Sequence, residues 1–199
     1  MDRHTILKSL RESPPVFLAT LPDAFGIYAL WDHECQIRYI GYTPKGNEGF
    51  RIRVANKHVT GSEGRSHKFS QAYCTGRMWR FCKRLHPISA LQEQDPSDAN
   101  LAKKLRTAFI RRYCKATYVE VPKCRVSGDY FAHLNALESQ VQQLAPPSMR
   151  AWEGIKFRSV AEPAELVCNL LKDMPEIQSA AERQREVYRK RVVGLSVDT

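Results

Sequence analysis

The chain has 199 residues, of which 43% are apolar and 26% charged, and its net charge is +10 at neutral pH. Such a length and balance predict a folded globule with room for an appendage, and exclude a disordered or fibrous chain. No apolar run reaches the roughly 18 residues a membrane-spanning helix needs, and Met1-Asp2-Arg3-His4-Thr5-Ile6 lacks the basic-then-apolar layout of a secretory signal.

Ile6 to Glu12 predicts a short helix, stopped by Ser13-Pro14-Pro15, and Val16 to Leu21 is a short apolar stretch before Pro22. Phe25 to Trp31 and Gln36 to Tyr42 are rich in β-branched and aromatic residues. They flank the polar Asp32-His33-Glu34-Cys35 and read as a β-hairpin. After the turn-rich loop Pro44 to Gly49, Arg51 to His58 reads as a short helix ending near Gly61. Ser66 to Leu85 has helical tendency, interrupted at Gly76. Pro96-Ser97-Asp98 opens a basic helix to about Cys114, with Leu101, Leu105, Ala108, Phe109 and Arg112 in register and Lys103, Lys104, Arg106 and Arg111 largely on other faces. Thr117 to Val121 is a strand candidate stopped by Pro122. Asp129 suits the N-cap of a helix from Tyr130 to Leu144, which ends at Pro146-Pro147. From Glu162 two helical stretches are separated near Asp173-Met174-Pro175. The expected organisation is one domain over 1–160 with a basic helical insert at about 65–115, then a helical appendage or dimerisation arm over 161–199.

The six cysteines (Cys35, Cys74, Cys82, Cys114, Cys124 and Cys168) include no Cys-x2-Cys pair. A reduced, cytoplasmic compartment is the simplest expectation, nucleoid-associated in a prokaryote, with a structural zinc site as the alternative use of scattered Cys and His. The charge is concentrated. Lys45 to Lys115 holds sixteen Lys and Arg against five Asp and Glu, whereas the rest of the chain is nearly balanced. A block of that kind attracts phosphate backbones through counterion release, the alternatives being a solvated basic face or a membrane-surface patch.

Three groups of residues invite chemistry. The hairpin carries Tyr28 and Tyr39, which without other company would be packed edge tyrosines. The following helix carries Arg51, Arg53, Lys57 and His58; an arginine offers a fixed donor fork to a phosphate, and a His or Lys moves protons. In the helix 130–144, Glu138 falls on or beside the apolar stripe of Phe131, Leu134, Leu137, Val141 and Leu144. A carboxylate there is costly unless it is paired with a basic group or binds a cation.

Gly26-Ile27-Tyr28, ten residues, then Tyr39-Ile40-Gly41 resembles the two halves of the GIY-YIG nuclease signature. Arg53-x3-Lys57-His58-x2-Gly61 resembles the family's arginine followed by a His or Tyr one turn later. Leu137-Glu138, with Leu144 and the prolines, resembles the segment bearing its metal-binding glutamate. The resemblance spans residues 25–150 and implies an α/β (α+β) fold, with a small three-stranded, mainly antiparallel sheet flanked by helices. It further implies a metal-dependent endonuclease using one Mg2+ or Mn2+. Tyr39 would activate the attacking water, Tyr28 would orient it or the phosphate, Arg53 would stabilise developing charge, Glu138 would hold the metal, and His58 or Lys57 would complete the proton network. Three positions depart from the family pattern: Lys57 sits four residues after the arginine with His58 one further, a displacement of about 100 degrees on an α-helix. Arg150 stands where many members have asparagine, and Tyr42 where some have lysine.

DNA is the expected partner, with RNA the alternative and no membrane. Arg51, Arg65, Lys68, Arg77, Arg80, Lys83, Arg84, Lys103, Lys104 and Arg150 are the candidate contacts. Arg77 to Arg84 interleaves arginines with Trp79 and Phe81, a pattern that can grip phosphates and stack on bases. A site with one metal cuts one strand at a time, so a double-strand break would need a homodimer or two nicks. The competing functions are a catalytically inactive nucleic-acid-binding module of the same fold and a basic interaction protein.

Overall fold

The computed structural model describes residues 1–63, 66–75, 78, 98–153 and 163–189. Helix α1 (Arg3–Glu12) begins at Asp2, whose carboxylate accepts from the amides of His4 at 2.9 Å and Thr5 at 3.1 Å, and it turns Ile6 and Leu10 inward. Strands β1 (Val16–Phe17), β2 (Gly26–Trp31), β3 (Ile37–Tyr42) and β4 (Lys115–Glu120) form one sheet in the order β1-β4-β2-β3, antiparallel at every pairing. The sheet therefore has four strands rather than the expected three. The addition is β1, whose Val16 and Phe17 pair with Ala116 and Lys115. Two residues are too few to display the period of two by which a strand is recognised.

Between β2 and β3 the buried Asp32 side chain organises the turn. It accepts from the amides of Glu34 and Gln36 at 2.9 Å each, and from Arg38 Nε at 2.5 Å. In the resulting register Tyr28 stands opposite Gly41 of β3 and Tyr118 of β4, while Leu30 stands opposite Tyr39. Strand alternation then puts Tyr28, Leu30, Tyr39, Gly41 and Tyr118 on one face, and Ile27, Ala29, Ile40 and Val119 on the other. The second face is the main core, closed by Ile6 and Leu10 of α1 and by Leu134, Leu137 and Val141 of α4 (Tyr130–Leu144). Asp129 caps α4 as its sequence suggests, accepting from Phe131 at 2.9 Å and Ala132 at 3.2 Å.

One edge strand of the sheet is β3, and it is covered. Gln142 Nε2 donates to the Ile40 carbonyl at 2.9 Å, and the Trp152 amide donates to the Arg38 carbonyl at 3.0 Å. These bonds satisfy edge groups that would otherwise invite pairing. They also hold α4 along the edge, one turn away from Glu138.

The tyrosine face receives a helix of π type, Arg51–His58, followed by α2 (Lys68–Ala72). Beyond these lie α3 (Asp98–Tyr113), α5 (Ala164–Lys172) and α6 (Pro175–Tyr188), close to the expected helices. The chain divides into two compact units: Met1–Ala72 with the described part of Ile110–Lys156, and the described parts of Tyr73–Phe109 and Phe157–Thr199. The interior and C-terminal segments, read separately in the sequence, thus share a unit. Inside it the buried Asp98 accepts from Arg183 at 2.7 Å and from Gln184, and Lys104 pairs with Glu176 at 2.7 Å. The inward stripe of α3 runs through Ala102, Leu105 and Phe109 and includes Arg106, only 3% exposed, which helical periodicity had placed away from the core. Among the described residues no helix is long and apolar enough to cross a membrane, and Cys35, Cys74, Cys114, Cys124 and Cys168 are free thiols.

Candidate active site

Strand register and two glycines set the geometry. Gly26 has φ of +154°, and a Cβ there would meet the Val119 carbonyl oxygen at 2.1 Å, so β2 can lie this close to β4 only without a side chain. Gly41 does the same for the aromatic pair: a Cβ would stand 2.5 Å from Tyr28 Oη and 2.7 Å from a Tyr39 ring carbon. The glycine leaves a floor on which both rings rest. The Tyr28 and Tyr39 centroids are 6.4 Å apart, with Phe50 packed edge-on against Tyr28 at 6.4 Å and Tyr118 against Phe50 at 5.1 Å.

His58 joins this pair. Its ring is fully buried, 5.6 Å from the Tyr28 ring and 5.8 Å from that of Tyr39, and Nε2 lies 2.7 Å from Tyr28 Oη. Nδ1 accepts from the Lys68 backbone amide at 2.9 Å. Lys57 points elsewhere, pairing with the buried Glu48 carboxylate at 2.5 Å. Of the two residues between which the sequence leaves a choice, His58 contacts the tyrosines and Lys57 pairs with Glu48. An α-helical reading would have turned His58 aside. The i→i+5 bonding of a π-type helix holds about one more residue per turn, so a position five after Arg53 takes the place that four after would have in an α-helix.

Arg53 lies among the same groups. Its Nε is buried without a hydrogen-bond partner among the described residues, and its charge acts on Tyr28, Tyr39, His58, Glu48 and Glu138. Glu138, half-buried, accepts from Gln142 at 3.2 Å through Oε1. Burial raises its carboxyl to about 7, with Arg53 opposing and the nearby Glu153 adding to the rise. Burial also raises both tyrosines well above the ordinary phenol, only partly offset by Arg53. Burial, and after it Arg53, His67 and Lys68, hold His58 well below the usual imidazole range, so its ring is neutral.

Lys68, expected only as a nucleic-acid contact, has its ammonium 5.4 Å from the Tyr39 ring centroid, and burial lowers its affinity for the proton. Arg150 lies 3.6 Å from Glu153, three residues on. Arg51 is exposed and donates to the Leu21 carbonyl at 3.4 Å. Lys103 and Lys104 belong to the other unit, and Lys104 is paired. Arg65, Arg77, Arg80, Lys83 and Arg84 lie outside the described residues. Four neighbours of these groups were missed: Glu48, Glu153, Gln142 and the Lys68 backbone amide. Nothing in the sequence signals Glu48 or Glu153. Gln142, four residues after Glu138 on one helix face, could have been found by spacing.

Among the described residues no three His, Cys, Asp or Glu side chains gather as a metal-binding group. The donor set is that of one carboxylate, Glu138, which accepts from Gln142 through Oε1. It fits a hard divalent ion such as Mg2+, which dehydrates reluctantly and is commonly held by one or two carboxylates with waters completing its shell. Compared with protein-family models, curated proteins and solved structures, the chain matches none of them.

Proposed function

We propose that this protein is a metal-dependent endonuclease of GIY-YIG type that hydrolyses phosphodiester bonds in DNA, with RNA the alternative substrate. The observation that carries this reading is convergence. Tyr28, Tyr39, Arg53, His58 and Glu138, spread over 111 positions, meet at one face and edge of a small sheet. Each has a chemical use there beside whatever it contributes to packing. An arginine whose buried Nε has no partner among the described residues and a carboxyl raised to about 7 are costly in a protein that only folds.

Arg53 would stabilise the charge that grows on the phosphate oxygens, a fork of donors fixed in place before the substrate arrives. Tyr39 would take the proton of the attacking water. Its burial makes ionisation costly, so the positive charge of Arg53 and Lys68 beside it is what makes that transfer accessible. Tyr28 would orient the water or the phosphate. Glu138 would hold Mg2+ or Mn2+, which when bound supplies charge neutralisation at the leaving oxygen. Basic residues between Lys45 and Lys115 would hold the nucleic-acid backbone.

The test is nicking of supercoiled plasmid with Mg2+ by the protein, Glu138→Ala and Arg53→Ala. Cleavage that each substitution reduces by about a hundredfold or more supports the reading. Salt-dependent DNA binding without cleavage in any divalent metal refutes it in favour of an inactive binding module, the reading that the strongly raised tyrosines favour.

A further inference from the structure

The hydrogen bonds around His58 have a direction. A backbone amide can only donate, so the Lys68 N–H at 2.9 Å requires an unprotonated Nδ1. A neutral imidazole carries one proton, which must then be on Nε2, the atom 2.7 Å from Tyr28 Oη. Nε2–H donates to the phenol oxygen, and the phenol's own proton must point to another acceptor. We propose that Lys68, His58 and Tyr28 form a one-way donor chain in which the Lys68 amide positions His58 as a fixed hydrogen-bond donor. Tyr28 thereby accepts from His58 and keeps its own proton for another acceptor, and His58 is not a proton relay. The inference deepens the nuclease reading and rests on it for the identity of the acceptor.

The chain is well anchored. Ser70 Oγ, two residues after Lys68, donates to the Val59 carbonyl at 2.8 Å and lies 3.2 Å from the His58 carbonyl, so α2 is tied to the end of the π-type helix. The groups facing the His58 ring are Tyr28 on β2, Tyr39 on β3, Arg53 on its own helix, and the charges of His67 and Lys68. Among the described residues facing the ring none is a carboxylate able to draw a second proton onto it. Successive donors in such a chain polarise one another, which strengthens the final O–H as a donor.

The test begins with 15N-histidine labelling and long-range 1H–15N NMR on the full chain without metal or DNA. His58 is expected to show a protonated Nε2 and a bare Nδ1 from pH 5 to pH 8. A ring protonated on Nδ1, or a doubly protonated one in that range, overturns the proposal. Lys68→Pro places proline at the first residue of α2, where helices accept it, and removes the N–H. It should release the tautomer, whereas Lys68→Ala, which keeps the amide, should not. An unchanged tautomer in Lys68→Pro counts against the amide as the lock. For cleavage, His58→Gln retains an N–H donor and should keep activity within about tenfold, while His58→Ala should lose about a hundredfold or more. Equal loss in both means that His58 moves protons, and the proposal fails. The NMR result does not depend on cleavage: nicking with an Nδ1–H tautomer defeats this inference alone, and the predicted tautomer without nicking in any metal defeats the nuclease reading.

Discussion

Replacing Glu138 by glutamine should make the protein more stable while abolishing its dependence on metal. Glutamine has the shape of glutamic acid and can still accept from Gln142, but it has no charge to bury. Burial raises the Glu138 carboxyl from 4.5 to about 7. In the unfolded chain the same group titrates near its ordinary value. Between these two points the unfolded chain has released the proton while the folded protein keeps it, so stability falls as pH rises through that window. Above about pH 7 the whole penalty is present. At about 1.4 kcal/mol per unit it comes to about 3 kcal/mol, falling below about 1 kcal/mol at pH 5.

Urea unfolding of the protein and of Glu138→Gln, at pH 5 and pH 8 without metal, measures this directly. The substitution should add up to about 3 kcal/mol at pH 8 and little at pH 5, with an unchanged denaturant slope. Added Mg2+ should then stabilise the native protein at pH 8 and leave Glu138→Gln unmoved, since an ion that binds only the folded state stabilises it by mass action. If Glu138→Gln is no more stable than the native protein at pH 8, the carboxylate is not held at a cost, and its assignment as an ion ligand loses its physical basis.

Gly41→Ala should cost about 1–3 kcal/mol in thermal or urea unfolding, because a methyl 2.5 Å from Tyr28 Oη must displace both rings. It should also depress nicking, with a changed tyrosine signal in near-ultraviolet circular dichroism. Lys57→Met should destabilise by about 1–3 kcal/mol, since the buried Glu48 loses its partner, yet leave nicking within about tenfold of the native rate. A larger loss of rate at equal folding would return Lys57 to the proton network. Reversing Arg80, Lys83 and Arg84 to glutamate should weaken DNA binding and flatten the dependence of log affinity on log salt by up to about 3 units. An unchanged slope in fluorescence anisotropy titrations would show that this basic run does not touch phosphate.

Much of the fold was legible because its elements have strong local causes. The hairpin was visible in the aromatic and β-branched runs around Asp32, and α4 in its stripe and its Asp129 cap. What escaped had no period or depended on distant partners. Strand β1 is two residues long and exists only because β4 offers Ala116 and Lys115. Arg106 looked solvent-facing because helical periodicity assumes one covered face. Glu48 and Glu153 carry no pattern, and their roles follow from which cations the chain brings near them. A net count of charge does not show pairing either: Lys104 faces Glu176 and Arg150 faces Glu153.

The spacing of Arg53 and His58 shows how a motif and its geometry can part company without loss of the site. Measured along an α-helix, the extra residue between them would swing His58 about 100 degrees away from the tyrosines. Widening the turn to π type absorbs that residue and returns the ring to Tyr28, while Lys57 is carried outward to Glu48. Such widening weakens helical hydrogen bonding, so it persists only where other contacts hold it. Here the Lys68 amide on Nδ1 and Ser70 on the Val59 carbonyl fasten the end of the turn, and the Tyr28 hydroxyl fastens the ring. The same bonds that stabilise the irregular turn also fix which nitrogen of His58 bears the proton. Backbone irregularity and proton placement are therefore one constraint, and loosening α2 should disturb both together.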